Sequence, residues 1–210
     1  MKSKDCTERY YFHLVIVPFL REGDYDMLLE PQEMKLSNGK TITIRSAAGE
    51  DALQLAKHRK ITAGETYNMA RYPEECDYDI DKAREGLTRT AKDPRDFMVT
   101  AFCEGEVVGD LGVLTIRDLM KYRHRGYMGI SIRNEYCDQG LGSTMVKIAI
   151  DQARKNGFEQ VELGVFSDNM RAIHVYEKFG FKQYGINPRA FKLKDGTYRD
   201  EVIMVNIFST

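Results

Sequence analysis

Between residues 127 and 181 the chain reads strand, glycine loop, helix, strand, helix, with almost nothing in between, and that order limits the fold more than any other feature. YMGISI (127–132) is a strand pattern, and DQGLGSTM (138–145) follows it, with Gly140 and Gly142 one residue apart. From Leu141 the apolar residues fall at 141, 145, 148, 149 and 153, a helical stripe that stops at Asn156-Gly157. VELGVF (161–166) is again a strand. Asp168-Asn169 then offers an N-cap, and Ala172, Ile173, Tyr176 and Phe179 share one helix face that Gly180 closes.

The flanking segments complete a mixed α/β layer arrangement. Residues 10–18 and 26–31 read as two strands around a turn-rich REGDY segment, SNGK (37–40) is a hairpin turn, and KTITIRSA alternates as a strand. Leu53, Leu55, Ala56, Ile61 and Met69 have helical spacing over residues 50–70, which Pro73 ends. DIDKAREGLTRTAKD (79–93) is a short polar helix. FMVTAFCEGEVVGDLGVLTI is a hairpin turning at Glu104-Gly105-Glu106, and FKQYG and EVIMVNIF are the last strands, with an insertion-like hairpin at Arg189, Phe191 and Lys192 between them. A Rossmann unit would alternate strand and helix from its start, which this chain does not.

A chain of 210 residues with 42% hydrophobic and 30% charged residues has the composition of a globular protein with a sizeable core. Its net charge of −1 provides no basic field for nucleic acid or anionic lipid, so neither is an expected partner. Cys6, Cys76, Cys103 and Cys137 are scattered without a CxxC pair, which argues against a zinc site and for free thiols in a reducing compartment. The apolar run YYFHLVIVPFL is too short to span a bilayer and has no cleavage signal, so a cytoplasmic location is expected.

Paired glycines at the mouth of a helix serve either of two purposes. They make a tight turn that needs positive φ, or they let the unpaired N–H groups of the first helical turn close around a phosphate. Gly140, Leu141, Gly142, Ser143 and Thr144 could form such a cradle. The dinucleotide fingerprint fails because its third glycine would fall at Met145, and no Gly-Lys-Ser/Thr completes a P-loop.

The segment NMRAIHVYEKFGF (169–181) decides between these readings. Asn169, Ala172, Tyr176, Gly180 and Phe181 occupy the positions of a motif of the GNAT superfamily of N-acetyltransferases, and DQGLGSTM resembles the pyrophosphate loop of the same superfamily. The resemblance extends over residues 41–208 in element order and leaves residues 1–36 as an N-terminal strand extension outside a GNAT-like domain at 37–210. The loop departs from the pattern at its first position, where Cys137 stands in place of Arg or Gln. A side-chain contact to phosphate is then missing, unless Gln139 substitutes for it, whereas the backbone cradle is unaffected.

The resemblance implies a central, mostly antiparallel sheet with two splayed strands, here YMGISI and VELGVF. It implies acetyl transfer from acetyl-CoA to a primary amine, without a covalent enzyme intermediate and without a metal. The pantetheine arm would pair with the backbone of Ile130 and Ile132 as an added strand. Cys137, Asp138, Gln139, Gly140, Leu141, Gly142, Ser143, Thr144, Asn169, Ala172 and Tyr176 would hold the rest of the cofactor, with Lys178 near its phosphates. Tyr176 matches the residue that protonates the CoA thiolate. Relatives take the proton with a glutamate on a splayed strand or with waters held by backbone groups. The strand positions here hold Tyr127, Gly129 and Gly164, and alternation turns nearby Glu162 away from the slot. Glu65 is a candidate base from the helical side, with Tyr67, Tyr72 and Tyr78 as candidates to line the acceptor pocket. The expected acceptor is a small-molecule or amino-acid-like amine. A protein N-terminus or lysine is the alternative, and a non-catalytic CoA sensor is a further one. The C-terminal strand pair implies a homodimer.

Overall fold

The computed structural model describes residues 29–208, so the expected strand at 10–18 and residues 26–28 of that at 26–31 lie outside the described residues. Its core is one eight-stranded sheet in the order β1-β2-β3-β4-β5-β6-β8-β7. The first strands are β1 (Gln32–Lys35) and β2 (Thr41–Arg45), joined by the turn read at SNGK, where Gly39 donates to the Leu36 carbonyl at 2.9 Å. After β2 come two helices, α1 (Ala52–Glu65) and α2 (Ile80–Lys92). The hairpin β3 (Phe97–Cys103) and β4 (Glu106–Thr115) turns at Glu104 and Gly105, whose φ angles of 52° and 82° are those of a two-residue hairpin turn. The second half runs β5 (Arg125–Ile132), α3 (Leu141–Lys155), β6 (Gln160–Phe166), α4 (Met170–Lys178), β7 (Lys182–Lys192) and β8 (Tyr198–Ile207).

All neighbouring strands pair antiparallel except β5 and β6, which are parallel. Helices α3 and α4 cover one face of the sheet. There Met145, Val146, Ala149 and Ala153 of α3 are buried against Val99, Ala101 and Leu111 of the hairpin. Burying one such side chain is worth about 1.5–3 kcal/mol. Helices α1 and α2 cover the other face at one end of the sheet, through Leu55 and Leu87 packed near Met98, Phe102 and Val107.

Three expectations are corrected. The first helix ends at Glu65 rather than at residue 70, because Thr66 is extended and its hydroxyl accepts from the Asn68 N–H at 3.1 Å, turning the chain. Its buried stripe is Ala52, Leu55, His58, Thr62 and Ala63, whereas Leu53 and Ile61 are exposed. Two buried members, His58 and Thr62, are polar and therefore invisible to a reading of apolar spacing. Finally, residues 29–31 are not strand, and the first described strand starts at Gln32.

The parallel pairing of β5 with β6 covers only three residue pairs, Arg125–Gln160, Gly126–Val161 and Tyr127–Glu162. A bidentate ion pair clamps this closed end: Arg125 donates to both oxygens of Glu162, at 2.6 and 2.8 Å. Burial alone would push the Glu162 carboxyl up. Arg125, Gln160 and Tyr184 outweigh it and hold the group below the usual carboxylate range. A carboxylate whose folded pKa is depressed stabilises the fold above its unfolded value of about 4.3, and that stabilisation is lost as pH falls through the folded value. Glu162→Gln is therefore expected to lower Tm at pH 7. The gap in Tm to wild type should narrow as pH drops below about 4.3, followed by circular dichroism melts across pH.

Candidate active site

Beyond Tyr127 and Glu162 the two central strands part, while each keeps its outer neighbour: β5 stays paired to β4 through Ile132, and β6 to β8 through Phe166. The inner edges are left open. On β5 the odd-numbered residues bond outward to β4, as the Arg133 N–H to Val108 and the Arg125 carbonyl to Ile116 show. Alternation then aims the N–H and C=O groups of Met128, Ile130 and Ile132 into the gap. On β6 the Gly164 N–H points into the same gap, where the Tyr127 hydroxyl accepts it at 3.0 Å. Burial, with Glu201 nearby, pushes the Tyr127 phenol up to about 12, so it remains protonated at neutral pH. The gap opens into a cavity of about 920 Å³ that runs through the sheet from the α3/α4 face to the side of α1.

The glycine loop forms one wall. Gly140 takes φ 84° as the residue before α3, a left-handed conformation that suits glycine, and no side chain caps the helix. The first N–H groups of α3 are thus left for a ligand, and the helix dipole adds positive charge there. Gly142 lies against the end of β5, where an added Cβ would sit 3.3 Å from Ile132. Cys137, Asp138, Gly140, Gly142 and Ser143 line the cavity. Gln139, Leu141, Thr144 and Lys178 do not line it. Gln139 turns back to donate to the Glu135 carbonyl at 2.7 Å, Leu141 is buried in the core, and Lys178 is exposed on α4. The charge absent at Cys137 comes from α4 instead. The Arg171 guanidinium lines the cavity, 3.5 Å from the Cys137 sulfur and 3.2 Å from Asp138. Burial pushes the Cys137 thiol up despite this cation, so it stays protonated.

Helix α4 starts where Asn169 accepts the Ala172 N–H at 3.3 Å. Asn169, Ala172, Val175 and Tyr176 line the cavity on this side. Tyr176 is buried and tilted against Phe181 with ring centroids 5.8 Å apart. Its hydroxyl has no hydrogen-bond partner among the described residues, and burial raises its pKa above the ordinary tyrosine value.

The opposite side is formed by the C-terminal end of α1, by Leu114–Arg117 at the end of β4, and by Tyr127, Gly164, Phe166, Phe191 and Glu201. Phe166 and Phe191 stack at 3.8 Å. Ser131 also lines this side, and His58 holds its hydroxyl from α1 at 2.9 Å. Burial lowers the His58 pKa to about 4, so this contact is made by a neutral imidazole. Glu65 lies at the rim, where its carboxylate accepts the Asn134 N–H at 2.8 Å and ties α1 to the segment before the glycine loop. Tyr67, Tyr72 and Tyr78 do not line the cavity. Tyr67 donates to Asp168, Tyr72 accepts the Lys194 N–H, and Tyr78 donates to Cys76. The contributions of Arg171, Phe166, Phe191 and Glu201 are absent from the sequence reading. Glu201 is adjacent in space only through the pairing of β6 with β8, where it stands opposite Phe166. Among the described residues no cluster of His, Cys, Asp and Glu could hold a metal ion, and no helix is long and apolar enough to cross a membrane.

Comparison with known proteins agrees with this geometry. The model of the acetyltransferase (GNAT) family matches residues 53–181, more than half of the chain. An L-amino acid N-acetyltransferase, AaaT of Escherichia coli K12, is 28% identical over 120 residues, 57% of this chain and 73% of that protein. A ribosomal protein bS18-alanine N-acetyltransferase of the same organism is 33% identical over 75 residues, 36% of this chain and 50% of that protein. Among solved structures, a GNAT-family acetyltransferase from Streptococcus pneumoniae superposes with a TM-score of 0.77 at 25% identity, covering 80% of this chain and 99% of that one. The structure of yncA from Salmonella typhimurium with its cofactor acetyl-CoA superposes at 0.71 and 19% identity, covering 80% of this chain and 95% of that one. The splayed strands, the glycine loop and the family match together establish that the chain belongs to the GNAT family and is an acetyl-CoA-dependent N-acetyltransferase.

Proposed function

We propose that the enzyme acetylates the primary amine of a small or amino-acid-like acceptor by direct attack on acetyl-CoA. The observation that carries this reading is that the open edge of β5, the mouth of α3 and the Tyr176 side chain all line one cavity whose walls come from both faces of the sheet. The pantetheine amides pair with the inward backbone of Met128, Ile130 and Ile132 as an added strand. The pyrophosphate sits at the N-terminus of α3, and Arg171 supplies the cation that the loop lacks at Cys137. A slot N–H stabilises the oxyanion that forms when the amine adds to the thioester. Tyr176, protonated throughout the neutral range, hydrogen-bonds the sulfur as charge builds there and transfers its proton as the C–S bond breaks. Such general acid assistance is worth about 10²-fold or more.

A compact acceptor is supported by the roof over the acceptor side. The turn between β7 and β8 reaches the segment that follows α1, with the Lys194 N–H donating to the Tyr72 hydroxyl at 2.9 Å and the Lys194 ammonium bonded to Glu74. Phe191 stacked on Phe166 closes the space beneath it. Both partners of this ion pair are exposed to solvent, which screens their attraction. The names of the relatives span both classes, an amino-acid acetyltransferase and a ribosomal-protein one, which keeps a protein N-terminus as the second reading.

Three outcomes are expected. In calorimetric titration with acetyl-CoA, the wild type binds and Gly142→Glu does not, because its carboxylate repels the pyrophosphate. Tyr176→Phe keeps the wild-type affinity and loses about 10²-fold in kcat, and unchanged kcat would remove Tyr176 from the acid role. In a thiol-release screen, free amino acids and small amines outperform peptides with free N-termini, and the reverse order would transfer the assignment to protein acetylation. We also assign a homodimer surface to the sheet edge at β7, where Tyr184 and Ile186 are exposed. Light scattering should give twice the monomer mass, and a monomeric mass at all concentrations would reject this surface.

A further inference from the structure

The inner face of β6 lacks a side chain where the acceptor amine must arrive. Gly164 is the first β6 residue beyond the closed end whose N–H faces the gap, and its position has no Cβ. The space is nevertheless occupied. A Cβ built on Gly164 would fall within the Glu201 carboxylate, 2.8 Å from its Cδ and 3.0 Å from the Tyr127 hydroxyl oxygen. Glu201 comes from β8, where it pairs with Phe166 across the ladder and with Asn187 of β7 on its other side. Asn187 donates to one of its oxygens at 3.4 Å, and the other oxygen makes no hydrogen bond to any described residue. That oxygen lies in the cavity wall beside Tyr127, with Phe166 and Phe191 forming the surrounding apolar surface.

A carboxylate so placed has a specific consequence. Opposite charge next to an incoming ammonium, under aromatic walls that exclude water, strengthens the attraction. The geometry points to Glu201 as the catalytic carboxylate that receives the acceptor's ammonium group and takes its protons, in the space that Gly164 leaves empty. This rests on the acetyl-transfer reading given above and adds to it the residue that activates the acceptor. The acceptor class it selects is a cationic primary amine.

The proton balance closes. The ammonium passes one proton to Glu201, which releases it to solvent. The free amine adds to the thioester carbon, forming the N–C bond. The adduct's nitrogen loses its second proton to Glu201, which again releases it to solvent, the C–S bond breaks, and the thiolate takes the Tyr176 proton. Solvent reprotonates Tyr176, so the products are the amide, CoA thiol and one net proton. Glu65 lines the same cavity, but its carboxylate is engaged by the Asn134 N–H at 2.8 Å, whereas the free oxygen of Glu201 is available to an incoming amine.

The test compares Glu201→Gln, Glu65→Gln, and Gly164→Asp in a Glu201→Ala background, which returns a carboxylate beside the same space from β6. Acetyl-CoA affinity is measured by calorimetry, and kcat and KM for the amine by thiol release from pH 6 to 10. Glu201→Gln is expected to bind acetyl-CoA within about twofold of wild type and to lose about 10²-fold in kcat/KM. Its rate should rise with pH as the free-amine fraction rises, regaining ground on the wild type at alkaline pH. The relocated carboxylate should recover at least about tenfold of what Glu201→Ala loses. A purely structural role for Glu201 predicts no such recovery and no change in pH profile, and that result would overturn the proposal. So would wild-type turnover in Glu201→Gln, or a loss confined to Glu65→Gln. A wild type that neither binds acetyl-CoA nor releases thiol would instead overturn the acetyl-transfer reading and this proposal with it.

Discussion

The parting of β5 from β6 is the constraint on which the rest of the site depends. Two parallel strands that pair for three residues and then separate leave backbone N–H and C=O groups unpaired in the middle of a sheet. Unpaired buried backbone groups are costly, so such an edge persists only if other interactions hold it open. The Arg125–Glu162 pair fixes the closed end, and the Tyr127 hydroxyl satisfies the first exposed N–H, that of Gly164. Beyond that point the outer ladders to β4 and β8 keep both strands straight. What remains is an edge that an amide-rich ligand can complete, which turns an energetic liability into a binding surface.

Around this slot, chemistry is supplied from positions other than those where a strand or loop would first be expected to provide it. The loop carries Cys137 where a cation would contact phosphate, and Arg171 reaches the same place from α4. The strand carries Gly164 at the edge of the gap, and the Glu201 carboxylate from β8 occupies the volume that a side chain there would take. In each case the small residue is what allows the substitution. A bulkier side chain at 164 would collide with the Glu201 carboxylate and the Tyr127 hydroxyl. A site therefore depends on which functional group occupies a volume, and the backbone that delivers it can change.

The same volumes are held with unequal firmness. The α3/α4 side rests on a continuous core in which Met145 and Val146 are fully buried between helix and sheet. The acceptor side is covered by a hairpin turn tied through exposed contacts to the segment after α1.

Much of this was legible in the sequence. The glycine loop, the helix cap at Asn169 and the position of Tyr176 are local features, set by backbone sterics and by spacing within one or two turns of helix, and they stand where the sequence puts them. Periodicity likewise places α3, α4 and the β3–β4 hairpin. It fails on α1, where Thr62 is buried with its hydroxyl bonded back to the His58 carbonyl and where β5 presents Ser131 to buried His58, a partner no window on the helix contains. The places of Arg171 and Glu201 are likewise set by contacts between residues 33 to 35 positions apart, created by the packing of α4 on the loop and by the register of β8 on β6. The sequence by itself determined the family, most of the elements and the place of the glycine loop, because those follow from local dihedral and spacing rules. Only the tertiary structure decided which carboxylate lines the cavity beside Gly164, because side-chain position across a sheet depends on strand order and register, and neither is encoded within a single strand.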